Sequence, residues 1–140
     1  MFLLDTNVIS EQRRMGTGKE DARVAAWTAT VATHVMFVSV IVLLELEKWV
    51  LLWERRDPSQ GIRMRKWFDT SVREAFHERA LPVSETIALR AAALHVPDPR
   101  PSNDSLIAAT ALVHGLTIVT RNIADFTPMG VKLLNPWEPQ

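Results

Sequence analysis

The sequence predicts an α/β fold with a central, mainly parallel sheet. Two observations support it: short apolar segments of strand length alternate with longer segments that carry apolar residues at helical spacing. In addition, the first apolar segment, Phe2–Leu4, runs directly into Asp5, a residue type that caps helices well. A chain of 140 residues fits one domain, residues 1–140, with helices covering both faces of the sheet.

The strand candidates are short and apolar, and polar or turn-forming residues bound them. The segment at 117–120, Thr-Ile-Val-Thr, is the clearest of them. Extended structure is predicted at 2–4, 37–40, 81–83, 117–120 and 131–134.

Helices are predicted between these strands by apolar spacing and by caps. Pro97, Pro99 and Pro101 form a stiff loop that cannot be helical, and Gly115 is a typical helix stop. The predicted helices run from 8 to the loop at 16–18, from about 20 to 35, from 42 to 56, from the turn at 57–61 to about 79, from 85 to 95 and from 102 to 115.

The composition excludes several classes of site. With no cysteine, the chain has neither disulfides nor thiolate metal ligands, so any metal must be held by oxygen or histidine. Sixteen basic and sixteen acidic residues cancel, so no overall positive field attracts nucleic acid, and local basic patches or a metal must hold it.

The chain is expected to be a soluble, cytoplasmic protein with no membrane partner. Its longest apolar run, 35–52, is interrupted by Ser39, Glu45, Glu47 and Lys48, which makes it a poor membrane span. The first residues contain no basic region, unlike a signal peptide.

Four acidic residues lie beside the apolar ends of elements that the sheet would gather: Asp5, Glu45, Asp104 and Asp125. In a parallel sheet the strand ends and the following helix starts meet at one edge, where ligands bind. Each acid also has an ordinary explanation: Asp5 and Asp104 as helix caps or dipole partners, Glu45 as a solvated neighbour of Lys48, and Asp125 as a turn residue. These ordinary roles explain each acid separately, but they do not explain why the four acids should lie close together.

Carboxylates that meet would raise one another's pKa unless a cation neutralised them. Oxygen ligands of this kind select Mg²⁺ or Mn²⁺, and such an ion polarises a phosphodiester and activates water. Phosphodiester hydrolysis is therefore the chemistry expected first.

Four stretches in this order resemble the PIN-domain ribonucleases, and more narrowly the VapC-type toxins of bacterial toxin–antitoxin pairs, including the FitB branch. They are Leu-Asp-Thr-Asn at 4–7, Glu-Leu at 45–46, Asn-Asp-Ser-Leu-Ile-Ala-Ala-Thr-Ala-Leu at 103–112 and Ile-Val-Thr-Arg-Asn-Ile-Ala-Asp-Phe at 118–126. The Asn-Pro-Trp at 135–137 also resembles the FitB branch.

The resemblance implies a single PIN-like α/β/α sandwich with an acidic Mg²⁺ pocket that cuts RNA, held inactive by a cognate antitoxin, and a homodimer. Carried over by position, Asp5, Glu45 and Asp104 are the metal-site carboxylates. Family members place the fourth acid at the position of either Asn122 or Asp125; Asp125 is favoured here, with Asn122 as a neutral ligand or orienting group. Three residues are interpreted as orienting carboxylates or water, unless they only cap or end strands: Thr6, Asn7 and Thr120.

The chain departs from the family pattern at two positions. Val42 stands where relatives commonly have Thr, and Trp49 stands where they commonly have Gly. The change at 42 removes a hydroxyl, and Trp49 requires wider packing. Glu47 is the alternative ligand if the register is shifted.

Arg121 is the arginine expected to contact RNA phosphate, because its sequence neighbours belong to the predicted site. Seven other basic residues are also candidates for phosphate contact, although such residues more commonly form a solvated helix face: Arg13, Arg14, Arg55, Arg56, Arg63, Arg65 and Lys66. Trp49, Trp53 and Trp67 are expected in the core or at an interface, or to stack on bases.

Two other functions remain open. A haloacid-dehalogenase-like phosphotransferase would use Asp5 as nucleophile but needs a second Asp where Asn7 stands. A degenerate PIN domain would only bind RNA or a protein partner.

Overall fold

The computed structural model covers residues 1–140 and is built on five parallel strands in the order β3-β2-β1-β4-β5. The first strand lies at the centre of the sheet, and it pairs with β2 on one side and β4 on the other. The strands are β1 (Phe2–Leu4), β2 (Met36–Ser39), β3 (Ala80–Leu81), β4 (Thr117–Val119) and β5 (Leu133–Leu134). The predicted parallel α/β fold is confirmed.

Seven α-helices flank the sheet. Because both faces are covered, the central strands are mainly apolar, and Leu3, Leu4, Ile118 and Val119 are fully buried. The helices are α1 (Thr6–Gln12), α2 (Ala22–Thr30), α3 (Val40–Arg56), α4 (Pro58–Trp67), α5 (Glu85–Leu94), α6 (Ser102–His114) and α7 (Ile123–Phe126). Short 3₁₀ turns cover Thr33–Val35 and Thr127–Met129, and a π-helical turn covers Phe68–Glu74.

Several element bounds differ from the prediction for local reasons. Val40 opens α3 instead of ending β2, because the Ser39 hydroxyl accepts a hydrogen bond from the backbone N–H of Ile41 and caps the helix. The second helix ends at Thr30, and the predicted continuation to 35 is replaced by extended backbone at Val31 and a 3₁₀ turn. The helix predicted to reach 79 ends at Trp67 and continues as the π-helical turn.

The α3–α4 pair is held by a close backbone approach and by one arginine. A Cβ built on Gly61 of α4 would lie 2.5 Å from the Cα of Glu54 in α3. Arg65 of α4 forms ion pairs with Glu47, with Glu54 and, more weakly, with Asp69. The glycine therefore permits a helix contact that any larger residue would obstruct.

No helix is both long enough and apolar enough to cross a membrane.

Candidate active site

Asp5 lies at the carboxyl end of the central strand. It is only 7% exposed, and its backbone N–H donates to the carbonyl of Val119 in β4 at 2.9 Å. One carboxylate oxygen accepts the backbone N–H of Thr6 at 2.8 Å and so caps α1. The other accepts the Thr120 hydroxyl at 2.8 Å. Asp5 is therefore both a helix cap and a sheet-edge carboxylate.

Thr120 and Asn7 connect this carboxylate to the loop after β4. The buried Thr120 hydroxyl oxygen accepts the backbone N–H of Asn122 at 3.0 Å and the Asn7 amide at 3.3 Å. The same Asn7 nitrogen lies 3.5 Å from Asp5, and the Asn7 amide oxygen accepts the backbone N–H of Arg121 at 3.1 Å. The network fixes the orientation of Asp5, and Asn122 enters it through its backbone.

Thr6 links Asp5 to Glu45. Its hydroxyl donates to Oε1 of Glu45 at 2.7 Å across two elements, while its backbone N–H binds Asp5. Glu47 instead pairs with Arg65, so the structure places Glu45 and not Glu47 beside Asp5. Val42 is fully buried in the core, and the hydroxyl bound to Glu45 comes from Thr6.

Asp104 lies in the first turn of α6, which begins at Ser102 after the proline loop. The pKa of Asp104 is raised to about 6, first by burial and then by the negative charges of Asp5, Asp125 and Glu45. The pKa of Asp5 is also raised, mainly by burial, with smaller contributions from Glu45 and Asp125; hydrogen bonds from Thr120 and Thr6 oppose this rise. Four carboxylates on separate elements thus act on one another at this edge, and together they are called the acidic pocket: Asp5, Glu45, Asp104 and Asp125.

A loop hydrogen bond that the sequence did not indicate holds the start of α6. The backbone N–H of Arg100 donates to Nδ1 of His95 at 3.2 Å, so Nε2 carries the proton and lies 3.0 Å from the Ser105 hydroxyl oxygen. That hydroxyl donates to the carbonyl of Ser102 at 2.7 Å. His95 therefore ties the proline loop to the helix turn that carries Asp104. Its only sequence signal was its position just before the loop.

The donors of the acidic pocket suit a hard divalent cation. They are all oxygen atoms, and for Asp5 and Asp104 burial and nearby negative charge raise the pKa, a cost of ionisation that a bound cation would offset. No three acidic or histidine side chains stand close enough to hold one ion between them. Ligation by three of the carboxylates therefore requires side-chain movement.

Asp104→Asn is expected to stabilise the metal-free protein at pH 7. Because the folded pKa of about 6 lies above the ordinary value of 3.8, the folded state binds the proton more tightly than the unfolded state. Wild-type stability should therefore rise as the pH falls from above 6 towards 4. Allowing for solvent screening of this half-exposed group, the gain at pH 7 is on the order of 1 kcal/mol, or about 3 °C in Tm.

Thermal unfolding in EDTA at pH 7 and pH 4.5 measures this effect. The difference in Tm between Asp104→Asn and wild type should be smaller at pH 4.5, where the wild-type carboxyl is largely protonated. A variant that is less stable than wild type at pH 7 contradicts the interpretation.

The tryptophans outside α2 form two separate sets of contacts. Trp49, Trp53 and Trp67 are half-buried and pack edge to face, with centroid distances of 6.5 Å for Trp49–Trp53 and 6.2 Å for Trp49–Trp67. They therefore pack on one another, as the core interpretation predicts. Trp137 was not predicted as a site residue, yet the Arg121 guanidinium lies 5.3 Å from its ring centroid. The Asn-Pro-Trp ending was the available signal.

Comparison with known proteins agrees with this arrangement. The family model described as PIN domain matches residues 2–127. The chain belongs to the PIN-domain family. It is 33% identical to Toxin FitB of Neisseria gonorrhoeae over 98% of this chain and 99% of the relative. It is 30% identical to the VapC ribonuclease Y4jK of Sinorhizobium fredii over 99% of each chain.

The solved structures show the same likeness. The crystal structure of FitAcB from Neisseria gonorrhoeae matches with a TM-score of 0.88 and 31% identity, over 99% of this chain and 100% of the other. This PIN domain therefore groups with the FitB and VapC branch, as the sequence motifs predicted. The α/β/α sandwich prediction is confirmed.

Proposed function

We propose that this PIN domain is a metal-dependent endoribonuclease, the toxin of a toxin–antitoxin pair, that hydrolyses RNA phosphodiester bonds at a carboxylate-bound Mg²⁺ site. The observation that carries the proposal is the acidic pocket, in which burial and mutual repulsion raise the pKa of Asp5 and Asp104. The similarity to Toxin FitB and to a VapC ribonuclease supports both the activity and the biological class.

In this proposal Asp5, Glu45, Asp104 and Asp125 hold Mg²⁺, for which Mn²⁺ could substitute. When bound, the ion polarises the phosphodiester and lowers the pKa of a water molecule.

Neighbouring residues set the orientation of the carboxylates. Thr6 fixes Asp5 and Glu45 relative to each other through its N–H and its hydroxyl. Thr120 and Asn7 hold the second oxygen of Asp5. Such partners keep ligands in place and matter for metal affinity.

A cognate antitoxin, a homodimeric assembly and a cytoplasmic location belong to the same proposal. They follow from the resemblance to the FitB and VapC branch. The phosphotransferase alternative is disfavoured because Asn7, where a second Asp would be needed, presents an amide donor to Asp5. A degenerate PIN domain predicts no cleavage at all.

The test is cleavage of single-stranded RNA by the purified protein with Mg²⁺, with Mn²⁺ and with EDTA. Cleavage should occur with either ion and fall to background in EDTA, because the carboxylates alone supply no activated water. Restoration by excess Mg²⁺ after chelation is the control. Cleavage that persists in EDTA would overturn the metal mechanism, and no cleavage under any condition would favour the degenerate PIN domain.

A further inference from the structure

A polar cavity of about 350 Å³ lies directly beside the acidic pocket. Asn7 belongs to both, since its amide contacts Asp5 and its side chain also lines the cavity. A second hollow of about 580 Å³, lined only by polar and charged residues, shares Arg13 and Arg14 with it and continues to Thr17 and Lys19. The first cavity is lined by Asn7, Ser10, Glu11, Arg13, Arg14, Trp49, Arg121 and Trp137. It is called the arginine cavity.

The arginines of this cavity are free to bind an anion. Neither Arg13 nor Arg121 forms an ion pair, and Arg14 has only one long contact of 3.6 Å, to Glu11. Nε of Arg13 is buried and has no hydrogen-bond partner. By contrast, Arg65 on α4 is fully occupied by acidic side chains. Unpaired buried donors of this kind are unusual unless a ligand satisfies them.

Two tryptophans hold the guanidinium groups. Arg13 lies 5.7 Å from the ring centroid of Trp49, and Arg121 lies 5.3 Å from that of Trp137. An aromatic ring occupies the face of a guanidinium and leaves its N–H edge available, which is the edge that binds phosphate oxygens bidentately. Trp49, a departure from the family pattern, thus supports one of the free arginines.

The location indicates what the anion is. RNA that enters the acidic pocket brings phosphates towards four carboxylates, and the chain has no net positive charge to compensate. The positively charged side chains of the arginine cavity are separated from the acidic pocket only by Asn7, so they would hold the phosphates on either side of the scissile bond. The acidic side chain of the cavity, Glu11, is already engaged, because it accepts the backbone N–H of Asp21 at 2.8 Å. Six of the eight residues that line the arginine cavity and all four of the second hollow are polar or charged, which favours a phosphate backbone as the ligand; Trp49 and Trp137 are the two apolar residues of the lining.

We propose that the arginine cavity is the binding site for the RNA backbone next to the scissile phosphate, with Arg13 and Arg121 as its phosphate ligands. The continuing strand then passes Arg14 towards Lys19. This inference rests on the proposed function for its substrate class. It selects Arg13 from the arginines that the sequence left as either phosphate contacts or solvated helix residues, and it gives a position for Arg121.

Binding of a short fluorescent single-stranded RNA in EDTA tests the proposal separately from cleavage. Arg13→Ala and Arg121→Ala should each weaken binding by about tenfold, the loss expected for a charged hydrogen bond. Each should also reduce the slope of log K against log salt concentration by about 0.7, the value for one phosphate contact on a single strand. Arg90→Ala is the control. Arg90 is an exposed residue of α5 that lines neither cavity, so its replacement removes the same charge and should change neither quantity.

Several outcomes would overturn the proposal. The wild-type protein could fail to bind the RNA, or the arginine variants could bind it as tightly as wild type does. A loss of RNA affinity in Arg90→Ala as large as that in the arginine variants would also overturn it. If the arginine variants bind poly-L-glutamate more weakly than wild type does but bind RNA equally well, the cavity would be assigned to an acidic protein segment instead. Tm values for all variants verify folding. If the arginine variants lose RNA binding but wild type does not cleave RNA in Mg²⁺, the nuclease function is wrong and the binding site is supported. If wild type cleaves RNA but the arginine variants bind RNA as wild type does, the binding site is wrong and the nuclease function is supported.

Discussion

Asp5→Asn is expected to lower the single-turnover rate of RNA cleavage by more than about 100-fold at saturating Mg²⁺. Asp5 is the most buried of the four acids and the one that touches Thr6, Thr120 and Asn7. Asparagine removes a metal-binding charge, and its amide would face the Asn7 donor in place of an acceptor. Loss of partners outside the ligand set alone typically costs 10 to 100-fold, so loss of a ligand should cost more.

Asp98→Asn is the matched control for this prediction. It makes the same chemical change at an exposed loop position and should leave the cleavage rate unchanged. The pair Glu45→Gln and Glu47→Gln tests the register of α3, because only Glu45 is bonded to Thr6. Cleavage by Asp5→Asn at the wild-type rate, or a larger loss in Glu47→Gln than in Glu45→Gln, would contradict the proposed site.

Gly61→Ala is expected to lower the free energy of unfolding by about 3 kcal/mol, at the upper end of the usual range for overpacking. The new Cβ would lie 2.5 Å from Cα and 2.9 Å from N of Glu54, which are backbone atoms that cannot turn away. The two helices must therefore separate, and that would stretch the ion pairs of Arg65 to Glu47 and Glu54. The better helix propensity of alanine, worth about 1 kcal/mol, offsets only part of this cost.

Urea denaturation measures this effect, with Ser59→Ala on the exposed side of the same helix as the control. That control should remain within about 0.5 kcal/mol of wild type. A Gly61→Ala variant as stable as Ser59→Ala would show that the helix contact is not limiting. Because α3 also carries Glu45, a destabilised Gly61→Ala should show weaker metal activation as well.

The parallel sheet and the grouping of the four acids near one of its edges were predictable, although no three of the acids stand close enough to hold one ion. Apolar runs gave the strands, and parallel pairing brings the ends of β1 and β4 together wherever a chain folds this way. The sequence motif placed Asp104 at the start of α6, although only the structure supplies the His95 and Ser105 contacts that hold that turn.

Other features depended on relations between elements that periodicity does not encode. Spacing along α3 shows that Glu45 and Glu47 point in different directions, but only packing against α1 and α4 decides which partner each meets. The same holds for the arginines: Arg13 and Arg65 look alike in sequence, yet one is unpaired beside the pocket and the other is surrounded by acids. The change from α-helix to a π-helical turn after Trp67 is likewise not indicated by any particular residue type in the sequence.

The hydrogen bond between Thr120 and Asp5 joins residues 115 positions apart, across the central strand and the fourth. A ribosome that has made the first hundred residues has therefore produced two of the four acids, Asp5 and Glu45, but not the partner that orients the first of them. Proteins emerge from the ribosome amino end first, so the acidic pocket is completed only when synthesis is almost over. Prematurely terminated products that stop before the fourth strand lack that partner, and the proposed function predicts that they do not cleave RNA.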